Sequence, residues 1–311
     1  MSPTQPPFSG IRTFLGAPYA KICPKNTDIA IAGVPFDIGT TYRSGQRFGP
    51  QAIRDASLML IDNDNPRFRQ DPLKVLQVAD LGDFDIAIGD TEASLKMIEQ
   101  QAISCPAEQL VCLGGDHTIS LPLLRAVKQK HGRVALVHFD AHVDTWEDNF
   151  GAELAHGSPF YFAVLEGLIN PQHSIQIGIR SPVENEVIDW TLEQGFTVVS
   201  PEQVHLSTPA AIAEQIKACV GDMPVYLSFD VDALDPSQAP GTGTPEIGGL
   251  WSWQVLAILE RLTGVNWVGM DCVEVLPAHD VSQITALAGA TVVWMYLGMV
   301  ANARNDLVSL A

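Results

Sequence analysis

Residues 134–144 read VALVHFDAHVD, and how that stretch divides decides the architecture. Its first six residues are apolar except for His138 and show no polar alternation, the pattern of a strand buried on both faces. The last five place Asp140, His142 and Asp144 directly after that strand, where parallel α/β sheets gather their functional groups. Similar short runs rich in Val, Ile and Leu recur on either side, at 28–34, 75–78, 110–113, 174–179, 196–199, 225–229 and 267–270. Between them lie helical patterns at 50–57, 91–101, 120–130, 208–220 and 252–262. Pro50 sits at a first-turn position and Thr208-Pro209 is a start signal. Alternating strands and helices predict a three-layer α/β/α fold with a central, mostly parallel sheet of about eight strands. One such domain accommodates residues 1–311, with 1–25 as a Pro-rich N-terminal arm.

Composition narrows the function. The chain is 46% hydrophobic and 17% charged, which suits a packed core. Its 36 acidic against 18 basic residues give a formal charge of −18, which repels nucleic acid and anionic membranes and attracts metal ions and cationic substrates. The five cysteines are scattered without a CxxC pair, as in reduced thiols of a cytoplasmic protein. The N-terminus has no signal-peptide pattern. Residues 286–301 are nearly all apolar but fall short of the roughly 20 residues of a membrane span, and read as a buried C-terminal helix.

Acidic groups and histidines concentrate after three apolar runs. DAHVD supplies Asp140, His142 and Asp144; DVDALD, after 225–229, supplies Asp230, Asp232 and Asp235; GGDH, after 110–113, supplies Asp116 and His117. Residues i and i+2 of an extended chain point the same way, so Asp140 and His142 face one point, as do Asp230 and Asp232, and His117 and Asp144 complete the set. One Asp-x-His-x-Asp alone is as compatible with capping as with a metal. Three such segments at strand ends favour cations, because dense buried carboxylates are otherwise costly. Oxygen-rich sites with single imidazoles suit Mn²⁺ better than structural zinc, and a pair of metals sharing carboxylates presents hydroxide at neutral pH.

GGDHTIS (114–120), FDAHVDT (139–145), HGSPF (156–160) and SFDVDALDP (228–236) closely resemble the ureohydrolase family, which contains arginases and agmatinases. The resemblance runs from about Gly33 to the C-terminal helix. Segments 33–54, 239–249 and 269–277 look specifically like the bacterial agmatinases. The resemblance implies an arginase-like fold and two Mn²⁺ per subunit. His117, Asp140, Asp144 and Asp230 match the ligands of one ion, and Asp140, His142, Asp230 and Asp232 those of the other. It also implies that a metal-bridging hydroxide attacks the guanidinium, with Asp144 accepting a hydrogen bond from it. Glu274 matches the carboxylate that holds the guanidinium, and His156 the histidine that protonates the leaving amine. A homo-oligomer, trimer or hexamer, is implied as well. His131, His138, His173, His205 and His279 stay unassigned, and Asp116, Asp235 and Thr244 are open between ligand support and turn roles.

The substrate reading rests on charge. Loop 146–155 carries Glu147, Asp148 and Glu153 and no Lys or Arg, and 181–186 is also acidic. A substrate ending in a carboxylate needs a cation there; agmatine ends in an ammonium. Glu153 is therefore a candidate for the substrate tail, and urea and putrescine are the expected products. 4-Guanidinobutyrate, 3-guanidinopropionate and guanidine, the last with Ni²⁺, are the alternatives within the family. A one-zinc deacetylase-like enzyme is the rival from outside, and the chain lacks the adjacent histidines typical of that class. A non-catalytic scaffold is disfavoured because every ligand position is filled.

Overall fold

A computed structural model describes residue 6 and residues 9–61 and 64–309. It contains eight strands: β1 (Ile29–Val34), β2 (Val78–Asp83), β3 (Gln109–Gly114), β4 (Ala135–Phe139), β5 (Ile175–Ile177), β6 (Thr197–Val199), β7 (Val225–Asp230) and β8 (Trp267–Val273). They form one sheet in the order β2-β1-β3-β8-β7-β4-β5-β6, and every neighbouring pair is parallel.

Side-chain alternation along each strand builds the two flanking layers. On one face Ile29, Ile31, Val137, Phe139, Leu227 and Phe229 are buried with Ile212, Ile216, Val255 and Ile258 of helices Pro209–Val220 and Ser252–Glu260. On the other, Val34, Cys112, Leu136 and Tyr226 meet Leu95, Ile98, Leu123 and Leu124 of helices Thr91–Ser104 and Ser120–His131. Both faces are covered, which is why the strands read as continuous apolar runs.

The helices start where the sequence signals them. Thr208 accepts a hydrogen bond from Ala211 N at 3.2 Å, with Pro209 in the first turn, and Asp90 caps its helix through Ala93 N at 2.9 Å. The apolar stretch at 286–301 lies within helix Ile284–Ser309, where Ala290, Val293, Tyr296 and Leu297 are fully buried in the sheet-side core. By length and hydropathy alone this helix passes as a membrane span; 67% of its apolar window is instead buried inside the protein.

The run at 75–78 is not a strand. Pro72–Val75 forms one helical turn capped by Asp71, and β2 begins at Val78. Asp80 and Asp83 hide that strand from an apolar-run reading. Buried Asp80 is tolerated because Arg54 reaches its two oxygens at 2.9 and 3.0 Å. Within the N-terminal arm, residues 1–5 and 7–8 lie outside the described residues, whereas Phe14, Leu15 and Ala17 are buried in the core.

Candidate active site

The four central strands, β3, β8, β7 and β4, end side by side, and each is followed by predicted site residues. His117 follows β3, Glu274 follows β8, Asp230 and Asp232 close β7, and Asp140, His142 and Asp144 follow β4. Gly115 lets the β3 loop enter the site: a Cβ there would stand 2.0 Å from the Phe36 carbonyl oxygen. His117 Nδ1 lies 2.9 Å from Asp144 Oδ2, 3.0 Å from Asp140 Oδ2 and 3.2 Å from Asp230 Oδ2. His142 Nδ1 lies 3.1 Å from Asp232 Oδ2 and 3.2 Å from Asp140 Oδ1. Asp140 thus turns one oxygen to each imidazole. Asp144 and Glu274 adopt left-handed backbone conformations, φ 51° and 67°, which L side chains tolerate only where surrounding structure holds them.

The donor set asks for cations. The possible ligand atoms of His117, His138, Asp140 and Asp144 lie within 4.8 Å of one another, as do those of Asp140, His142 and Asp232. His117 Nδ1 and Asp232 Oδ2 are buried without a hydrogen-bond partner. Burial, then repulsion from Asp232 and Asp140, pushes the Asp230 carboxyl well above its usual range; burial and Asp140 raise Asp232 to about 6. Carboxylate oxygens joined by imidazole nitrogens are a set that hard or borderline divalent ions favour, and such ions between the carboxylates reverse this repulsion.

Beside this cluster, Glu274 and His156 form a buried pair. Glu274 Oε1 accepts from His117 N at 2.9 Å and stands 3.0 Å from His156 Nδ1, while Oε2 accepts from Gln46 Nε2 at 2.9 Å. Thr41 N approaches the far nitrogen of His156 at 3.2 Å, and Thr41 Oγ1 lies 2.8 Å from it. Burial works against charge on His156, but the Glu274 carboxylate outweighs it and lifts the ring to about 9. Burial likewise works against the Glu274 carboxylate, and the charge and hydrogen bond of His156 bring it below its ordinary value.

A cavity of about 210 Å³ opens over both groups, lined by His117, His142, Asp144, His156, Asp230, Asp232 and Glu274 and walled by Thr41, Trp146, Phe150, Ser181, Glu184 and Thr244 among others. None of its lining residues is Lys or Arg. Glu153 departs from the expectation: it is exposed and does not line the cavity, and its carbonyl accepts from Ser158 Oγ. The loop reverses direction with Phe150 and Gly151 in left-handed conformations, φ 57° and 90°. The acid at the mouth is Glu184, whose Oε2 accepts from Trp146 Nε1 at 2.8 Å, a hydrogen bond that keeps its carboxyl below the usual range.

Other open positions resolve. His138 Nε2 lies 2.8 Å from Asp140 Oδ2, and its Nδ1 faces Gln176 Nε2 at 3.2 Å, so this strand histidine supports Asp140. Asp116 accepts from Gly39 N and Thr118 N and braces the loop under the cavity. Asp235 accepts from Ser237, Gly248 and Gly249, a turn role. Sequence reasoning passed over Thr41, Gln46, Gln176, Ser228 and Asp271, because a single polar side chain, even inside a matching segment, does not show which groups it will meet.

Fold and site together define a parallel α/β hydrolase with an acid-rich, metal-type centre at the carboxyl ends of its central strands. Residues 27–298 match the model of the arginase family. The chain is 48% identical over 265 residues to the agmatinase of Cronobacter sakazakii, covering 84% of this chain and 83% of that one. Among solved structures it is similar to a hypothetical agmatinase from Burkholderia thailandensis (40% identity, TM-score 0.89, 96% of this chain and 93% of that one). It is also similar to proclavaminate amidino hydrolase from Streptomyces clavuligerus (34% identity, TM-score 0.91, 96% and 100%). The chain belongs to the arginase family, a family of binuclear-metal ureohydrolases.

Proposed function

We propose that the protein hydrolyses agmatine to urea and putrescine, with two Mn²⁺ ions held by His117, Asp140, Asp144 and Asp230 and by Asp140, His142, Asp230 and Asp232. The observation that carries this reading is the Glu274–His156 pair beside the carboxylate cluster, under a cavity with no Lys or Arg in its lining. The likeness to curated agmatinases supports the substrate. A single sheet serving strands from Ile29 to Val273 supports one domain over 1–311. A cytoplasmic homo-oligomer, trimer or hexamer, completes the proposal.

When bound, the metal pair supplies a water deprotonated near neutral pH, the strong nucleophile that a resonance-stabilised guanidinium carbon requires. The chain's own residues do the rest. Glu274 is a buried carboxylate whose Oε2 has one protein donor, leaving acceptor capacity for a guanidinium N–H and orienting the planar cation. Asp144 would accept a hydrogen bond from that water, the role its match to the family gives it. His156 is protonated at neutral pH and delivers its proton to the departing amine, which leaves well only as the neutral molecule. Glu184, fixed by Trp146 at the mouth, faces the far ammonium of the substrate. Steady-state urea release with agmatine, arginine, 4-guanidinobutyrate, 3-guanidinopropionate and guanidine tests the proposal. Agmatine is expected to give by far the highest kcat/KM with Mn²⁺; equal or better turnover of any other overturns it.

A further inference from the structure

Asp271 is a fully buried carboxylate on β8 that the hydrolytic scheme does not use. Three hydroxyl groups surround it: Ser120 Oγ at 2.7 Å and Tyr226 OH at 2.8 Å on Oδ2, and Ser228 Oγ at 2.7 Å on Oδ1. Ser228 pairs with Asp271 in register across β7 and β8, so the sheet itself sets their contact. The same Ser228 oxygen lies 2.7 Å from His117 Nε2.

Hydrogen-bond direction then propagates along the row. Ser228 donates its single proton to Asp271 Oδ1. Towards His117 the serine oxygen can only accept, which requires the proton on Nε2. The lone pair of Nδ1 is left free, and it points at the oxygens of Asp140, Asp144 and Asp230 with no hydrogen-bond partner. We infer that Asp271 and Ser228 are positioning residues that lock His117 in the Nε2–H form and so present Nδ1 to one of the two metals. The inference rests on the proposed metal centre and extends it to two residues behind it. Outer partners of this kind orient a ligating histidine and raise its basicity. The other imidazole lacks this backing: His142 is partly exposed and has no comparable hydroxyl behind it among its hydrogen bonds.

The test is Mn²⁺ titration of the full-length protein, followed by the spectrum of the free ion, which resolves two binding steps. Ser228→Ala removes the row. Asp271→Asn keeps its shape but reverses it: the amide oxygen is drawn to the two donors Ser120 and Tyr226, and the NH₂ faces Ser228. Ser228 then donates to Nε2, and the proton on His117 moves to Nδ1. Both variants are expected to weaken one Mn²⁺ step by roughly 10- to 100-fold and leave the other unchanged. Tyr226→Phe removes a donor from the same carboxylate without touching the row, and its metal affinities are expected to match the wild type. In the Co²⁺-loaded protein the exchangeable, metal-shifted N–H proton of His117 should be lost or displaced in Ser228→Ala, a signature that a general loss of stability does not produce. A wild type that binds two ions, with Ser228→Ala binding both equally well and keeping that proton signal, overturns the relay alone. A wild type that binds no Mn²⁺ overturns the metal centre and the relay with it. Equal weakening of both steps in all three variants, Tyr226→Phe included, reduces the row to a packing role and also refutes the inference.

Discussion

Glu274→Gln separates the two tasks assigned to one carboxylate. The substitution is nearly isosteric. Its amide oxygen can still accept from His117 N and His156, and Gln46, whose Oε1 has no hydrogen-bond partner, can turn its amide to meet the new NH₂. What disappears is charge. His156 rises from 6.5 to about 9, a differential interaction of about 3 kcal/mol achieved against a burial that favours the neutral ring; Glu274 is the largest source, followed by Asp116 and Asp144. Without the carboxylate, burial is opposed only by the weaker pull of Asp116 and Asp144, and the imidazole falls back towards 6.5. At pH 8 the protonated fraction then drops by up to about 30-fold. Losing a charge-assisted hydrogen bond to the guanidinium adds about 1.5–3 kcal/mol. Together these predict a fall in kcat/KM on the order of 10³-fold at pH 8. The pH profile is the sharper readout. His156 acts in its protonated form, so the wild-type kcat/KM profile for agmatine should decline as pH rises through about 9, and in the variant that decline should move down towards 6.5. The same linkage acts on stability: a ring whose folded pKa is raised contributes stabilisation that is full below about 6.5 and lost as pH rises through about 9. A variant whose alkaline limb stays near pH 9, or whose activity at pH 8 falls less than tenfold, would refute the pairing.

Three further outcomes follow from named contacts. Asp230→Ala, which removes a carboxylate from both proposed ligand sets, should abolish urea release and lower the bound metal measured by elemental analysis; full activity without metal refutes the centre. Glu184→Gln removes an exposed charge, so it should raise KM for agmatine by at most about tenfold, leave kcat nearly unchanged, and narrow the preference over 4-guanidinobutyrate in the same assay. Arg54→Met leaves the Asp80 carboxylate buried with only the backbone donors Phe14 N and Gly82 N, and should cost about 3–5 kcal/mol in denaturant unfolding while leaving the metal cluster intact.

Much of the fold and cluster was legible because it is written in short-range patterns. Strands buried on both faces are continuous apolar runs, so seven of the eight strands stand out, and β2 escapes because Asp80, neutralised by a helix residue 26 positions away, breaks its run. Spacing by two beyond a strand announces Asp140 with His142 and Asp230 with Asp232. Glu274 and His156 carry no such local mark and were reached through resemblance. Glu153 was chosen from the charge of its loop, and loop charge does not say which way a side chain points.

Residue order and type by themselves determined a parallel α/β protein with carboxylates and imidazoles at its strand ends, because periodicity of 2 and the cost of burying charge act along the chain. Only the tertiary structure decided which of those groups meet. The order β3-β8-β7-β4 brings positions 117, 274, 230 and 140 to adjacent strand ends, and the register of β7 against β8 sets Ser228 on Asp271 and, through it, the proton on His117. Contacts across more than a hundred residues depend on how the strands are ordered and aligned, and hydrogen-bond direction exists only once donor and acceptor are in place.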